Sequence, residues 1–143
     1  MILADFKKRA FAAFIDYFLF ISFDFIFLVQ FGKHSTNSDG RPIVEAEGFL
    51  AYIPLIIWFI TFPVVESIEG KTLGKKIMRI KVVREDGSNI NFFTSFQRRI
   101  FDFVDFLLLG LPAIIVSRNN KRRKRIGDWV ARTIVVNDNP DKE

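Results

Sequence analysis

The chain is 143 residues long, half of them hydrophobic, with 18 Phe, no Cys and a formal net charge of +5, a length that suits a single domain, here 1–143. The lack of Cys excludes disulfides and thiolate metal sites. The positive charge invites a nucleic-acid reading, but the basic residues flank long apolar runs, so the expected partner is an anionic lipid headgroup rather than nucleic acid.

The first element is RAFAAFIDYFLFISFDFIFLVQF, an apolar run over 10–31 entered by Lys7-Lys8-Arg9. As a helix of roughly 22 residues it measures about 33 Å, against a hydrocarbon core of about 30 Å. It is too long for a signal peptide, carries two acids and lacks a small-x-small cleavage site, so it reads as an uncleaved first span. A carboxylate at mid-membrane depth costs roughly 2.5–3.5 kcal/mol on insertion scales, so Asp16 and Asp24 should face protein or water. Arg9 and Asp16 are seven apart and therefore share one helix face.

Phe31–Glu47 is polar, with turn signals at Asp39-Gly40 and Arg41-Pro42. His34, the one histidine, has no second His or Cys nearby and reads as a solvated loop residue rather than a metal ligand. Gly48–Val65 carries no charge and is the second span, 48–65. Pro54 and Pro63 are expected to kink it, and Tyr52 and Trp58 are candidate interfacial anchors.

The segment 66–100 changes character: Glu66–Arg99 holds eight basic residues against two in Phe31–Glu47. Positive loops stay inside, which predicts that both termini, 66–100 and 118–143 are cytoplasmic and that 31–47 is outside. Lys71–Met78 reads as a short amphipathic helix at the headgroups. Gly70-Lys71-Thr72 lacks the earlier glycine and the preceding strand of a phosphate-binding loop. Arg79–Phe92 alternates around Asp86-Gly87, a hairpin signal, and Thr133–Val136 is a further strand. Ile80–Arg84 and Ile134–Val136 are expected to share one small cytoplasmic sheet.

The last apolar run is 101–117. Only Phe106–Ser117 is uncharged, roughly 12 residues or about 18 Å as a helix, a length more often re-entrant than spanning. Gly110-Leu111-Pro112 supplies a turn, and Arg118 to Arg125 would resist translocation. A re-entrant hairpin is favoured over a third span, with Lys121, Arg122, Arg123, Lys124 and Arg125 as headgroup contacts. Arg98 and Asp105 repeat the seven-residue spacing of Arg9 and Asp16, with Asp102 between them. If both helices enter from one side, each arginine could reach an acid on its own helix or across on the other. The fold class is thus a mainly α-helical membrane protein: two transmembrane helices, a third apolar helical segment and a small cytoplasmic sheet.

RAFAAFID, then Gly70-Lys-Thr-Leu-Gly-Lys-Lys before Arg-Ile-Lys-Val-Val, then Ile126-Gly-Asp-Trp-Val-Ala-Arg-Thr-Ile-Val-Val together resemble the RDD family of small bacterial membrane proteins. The resemblance covers roughly Lys7–Val136 and maps Arg9 and Asp16 onto the family's arginine and first aspartate. Asp128 is the choice for the second aspartate and Asp105 the runner-up. The family usually has Gly where this chain has Arg132. The resemblance implies an integral membrane protein, with ion transport proposed for some members. One class of function is cation or proton movement past Asp16, Asp24 and Asp105, which two spans and a hairpin could enclose only as an oligomer. The other is a scaffold that binds lipid or a partner protein, its Arg/Asp pairs being structural. No enzyme activity and no cofactor are expected, because nothing pairs His34 with an acid or a nucleophile. The expected location is the cell (cytoplasmic, inner) membrane, with several passes.

Overall fold

A computed structural model describes residues 2–107 and 124–138, with side chains for all of these except 102–107. The expected turn at 110–112, the headgroup residues Lys121, Arg122 and Arg123, and the side chains of Asp102 and Asp105 lie outside the described residues.

Helix α1 (Phe6–Phe31) contains no Gly or Pro and starts where the carboxylate of Asp5 accepts the Phe6 N–H at 2.8 Å. It ends at Gly32. The second apolar helix runs from Gly48 to Glu69. It opens as a 3-10 turn (Gly48–Tyr52), continues as α2 (Ile53–Phe59), widens to a π turn (Ile60–Val64) and closes as α3 (Val65–Glu69). Pro54 sits in the first turn of α2, where its missing N–H costs no bond. Pro63 lies inside the π turn, whose wider ring absorbs the absent donor and the clash with the preceding turn. The helix extends past the uncharged run, so Glu66 is helical rather than part of a loop.

Both helices are long and apolar enough to cross a membrane, and only 11% of the apolar window of each is buried inside the protein. Phe11, Phe14, Phe18, Ile21 and Phe25 on the first and Leu55 and Ile60 on the second face outward. Contiguous apolar surface of that extent marks an interaction face. Between the helices the expected polar loop folds into a hairpin, β1 (Lys33–Thr36) antiparallel to β2 (Pro42–Glu45). The side chain of Asn37 accepts the Asp39 and Arg41 amides at 3.1 and 2.8 Å and so closes the turn. His34 lies exposed on β1.

At the other end of α1 lies the second sheet, in which β3 (Ile80–Arg84) pairs antiparallel with β4 (Thr133–Asn137). Their apolar residues join Ala4, Ala12 and Ile90 in the core cluster, and the Ala4 N–H donates to Val135 O at 2.9 Å. The hairpin expected around Asp86-Gly87 reduces to a turn and one bridge, Val83 to Asn89. The polar residues after the turn have nothing to bury, whereas β4 offers Val135 and Val136. Val82 and Val135 are Cα partners, so cysteines replacing both should form a disulfide under mild oxidant. Crosslinking at 81 with 135, but not at 82 with 135, would mean a register shifted by one residue.

Three further helices complete the description: α4 (Leu73–Ile77), α5 (Phe92–Leu107) and α6 (Ile126–Val130). The side chain of Asn91 accepts the Thr94 N–H at 2.9 Å at the start of α5. Helix α5 therefore begins well before the third apolar run and already contains Arg98 and Arg99.

Candidate functional site

Where α1, α3, α5 and α6 meet beside the β3–β4 sheet, the protein buries Arg9, Asp16, Glu66, Arg98, Arg99 and Asp128. Charges survive burial only when partnered, and here the partners come from distant parts of the chain. Asp128, third residue of α6, is 2% exposed. It accepts from Arg9 Nη2 at 2.5 Å, from Arg98 Nη2 at 2.7 Å and Nε at 3.1 Å, and from the Arg125 backbone N–H at 3.1 Å. Gly127 makes this approach possible: a Cβ there would stand 2.8 Å from the Arg98 carbonyl oxygen.

Glu66 is the second hub and is 0% exposed. Its carboxylate accepts from Arg99 Nε at 3.2 Å and Nη2 at 3.1 Å, from Arg98 Nη1 at 3.3 Å, from Ser95 Oγ at 3.1 Å, and from Lys75. Ser95, Arg98 and Arg99 stand at i, i+3 and i+4, so one face of α5 delivers all three. Arg99 also lies 4.9 Å from the centroid of the Phe62 ring. That ring is flanked by Tyr17 at 5.2 Å and Trp58 at 6.2 Å.

Asp16 has a different task. It accepts from Thr72 Oγ1 at 2.5 Å and from the Gly74 N–H at 2.7 Å, and so caps the first turn of α4 from the side of α1. A Cβ on Gly74 would lie 2.2 Å from the Ala12 carbonyl oxygen, so only glycine lets α4 lie this close. The Gly-Lys-Thr-Leu-Gly stretch is thereby explained as a seat for a carboxylate.

A small cavity of about 30 Å³ sits among these groups, lined by Arg9, Asp16, Tyr17, Lys75, Arg98 and Arg99 with four neighbours. It has room for a water molecule.

The arrangement departs in part from the expected pairing; the side chain of Asp105, the other acid in that expectation, lies outside the described residues. Arg9 and Asp16 share a helix, yet Arg9 turns to Asp128 while Asp16 is taken up by α4. Arg98 meets Arg9 on the same acid and also reaches Glu66. Asp24 lies apart, further along α1. Lys124, expected at the headgroups, is instead 3% exposed and paired with Glu85. Arg125 is partly buried and lines the cavity. Sequence reasoning missed Glu66, Lys75 and Arg99 as site residues. The available signals were an acid directly after an uncharged run and the Ser95, Arg98, Arg99 spacing.

Burial works to raise the Asp128 pKa, but the guanidiniums of Arg9 and Arg98 outweigh it and hold the carboxyl well below its ordinary range. Lys75, desolvated against the partly offsetting charge of Glu66, is pushed down to about 8. For Asp128 the folded pKa is the lower one, so its stabilising share is complete above the ordinary value of 3.8 and is lost as pH falls below it. For Lys75 the unfolded state binds the extra proton between about 8 and 10.5, so its share of stability rises across that window. Thermal unfolding in detergent should therefore fall off below about pH 4, with a shallower acid limb in Asp128→Asn. A loss centred near pH 6 would contradict this assignment.

The family whose model matches the chain is the RDD family, over residues 3–132. No curated protein and no solved structure matches it.

Proposed function

The chain belongs to the RDD family, a membrane-associated domain, and from that premise we propose that it is a multi-pass protein of the cytoplasmic membrane that acts as a scaffold. The observation that carries this reading is the saturation of the network acids. Asp16 is held by two donors, Asp128 by two arginines and a backbone amide, and Glu66 by two arginines, a lysine and a serine. Groups so tied are joints rather than carriers, because releasing a bound ion or proton would strand their partners. The joint locks both apolar helices to the β3–β4 sheet. Its proposed partners are anionic headgroups and a second copy or another membrane protein. The bridge of Leu3 to Val136 supports placing both termini on one side, the cytoplasmic side by the charge rule.

Two measurements test the proposal. Single cysteines at Ser38, Ser88 and Asp138 should show only the first reacting with an impermeant reagent from outside. Proteoliposomes should pass no more protons or sodium than empty vesicles. Transport through an oligomer is the second reading. Asp24 favours it, since its Oδ1 is buried with no hydrogen-bond partner among the described residues. Flux that Asp24→Asn abolishes in a folded protein would overturn the scaffold reading.

A further inference from the structure

Between α1, the second apolar helix and α5 runs an open groove of about 620 Å³, which shares Arg99 with the small charged cavity. Its lining includes Phe20, Asp24, Leu55, Trp58, Arg99 and Ile100, and is mostly apolar. Asp24 lines it, with one carboxylate oxygen buried and lacking any hydrogen-bond partner among the described residues. A carboxylate on an apolar lining calls for a counter-charge, and Arg99, at the groove's edge, directs Nε and Nη2 to Glu66.

The lining restricts what the partner can be. An inorganic cation such as calcium collects roughly six oxygen ligands, and among the described lining residues Asp24 is the one whose side chain carries oxygen. The volume lies within the ~300–1,000 Å³ that drug-sized ligands occupy. Phe20 and Trp58 supply aromatic rings, which attract organic cations. We propose that this groove binds a lipophilic organic cation, an ammonium or phosphonium on an apolar body, with Asp24 as its counter-ion. The proposal needs no transport and does not rest on the scaffold reading.

The test is equilibrium binding of radiolabelled tetraphenylphosphonium to the purified full chain in nanodiscs, with tetraphenylborate as a competitor of like shape and opposite charge. Saturable binding is expected in the parent protein. Asp24→Asn should weaken it by roughly tenfold or more, as removal of one partner of a buried charge pair does. Asp24→Glu should retain binding, Leu55→Trp should block it by filling the groove, and tetraphenylborate should not compete. If Asp24→Asn fails to fold, Leu55→Trp and the competitor still decide. Absence of saturable binding, equal binding by folded Asp24→Asn, undiminished binding by Leu55→Trp, or competition by tetraphenylborate would each overturn the proposal.

Discussion

Replacing Glu66 with alanine is expected to lower folded stability by about 3–5 kcal/mol, because it removes the common partner of buried cations. Arg98, Arg99 and Lys75 all converge on this one carboxylate, and it is wholly shielded from solvent. The protein would either leave charge stranded in a medium of low dielectric or open the interface of α3 with α5 to let water in. Glu66→Gln should cost less, since the amide oxygen can still accept from Ser95 or an arginine. The double change Glu66→Met with Arg99→Met should recover part of the loss, as apolar replacement of a buried ion pair often does. Denaturant unfolding in detergent, with monodisperse yield as a second readout, measures all three. A Glu66→Ala protein within about 0.5 kcal/mol of the parent would place this site among ordinary surface positions and dismiss the hub.

The second large effect is expected at Arg9 and Asp128, 119 residues apart in sequence and 2.5 Å apart in space. Asp128→Ala leaves two arginines without their shared acceptor and frees the Arg125 amide at the start of α6. Arg9→Ala leaves Asp128 with Arg98, so it should be the milder of the two. The double mutant should lose less than the sum of the singles, with a coupling of about 0.5–3 kcal/mol for residues in direct contact. Strict additivity would mean that the pair contributes nothing beyond its separate surroundings. Asp16→Asn makes an internal control, because the asparagine oxygen still accepts one of the two bonds from Thr72 and Gly74. Its loss should be smaller than that of Asp128→Ala.

The turn at Arg132 bears on how local chemistry and tertiary packing share control. The left-handed conformation there is one that glycine adopts most readily, and this chain adopts it with arginine, at φ 51°. Ala131 and Arg132 donate to the carbonyls of Gly127 and Trp129, and the Glu85 N–H just after β3 donates to Arg132 O at 3.1 Å, so bonds on both sides hold the turn against the steric cost of a Cβ.

By itself the sequence determined the two apolar helices, singled out Arg9, Asp16 and Asp128 as candidates, and indicated the partnership of Ile80–Arg84 with Ile134–Val136. Each is written in local pattern: long uncharged runs, motif blocks, and β-branched alternation. Only the tertiary structure decided which charge meets which. Helix periodicity says that Arg9 and Asp16 share a face, but not that α4 brings Thr72 and Gly74 to Asp16, or that α6 brings Asp128 to Arg9. Glu66 carried only a weak signal for the same reason. An acid at the end of an apolar run resembles a solvated residue until α5 lays Arg98 and Arg99 across it. Pairing among buried charges depends on which elements pack together, and that is settled by burial of apolar surface and by close approach at Gly74 and Gly127, not by spacing along the chain.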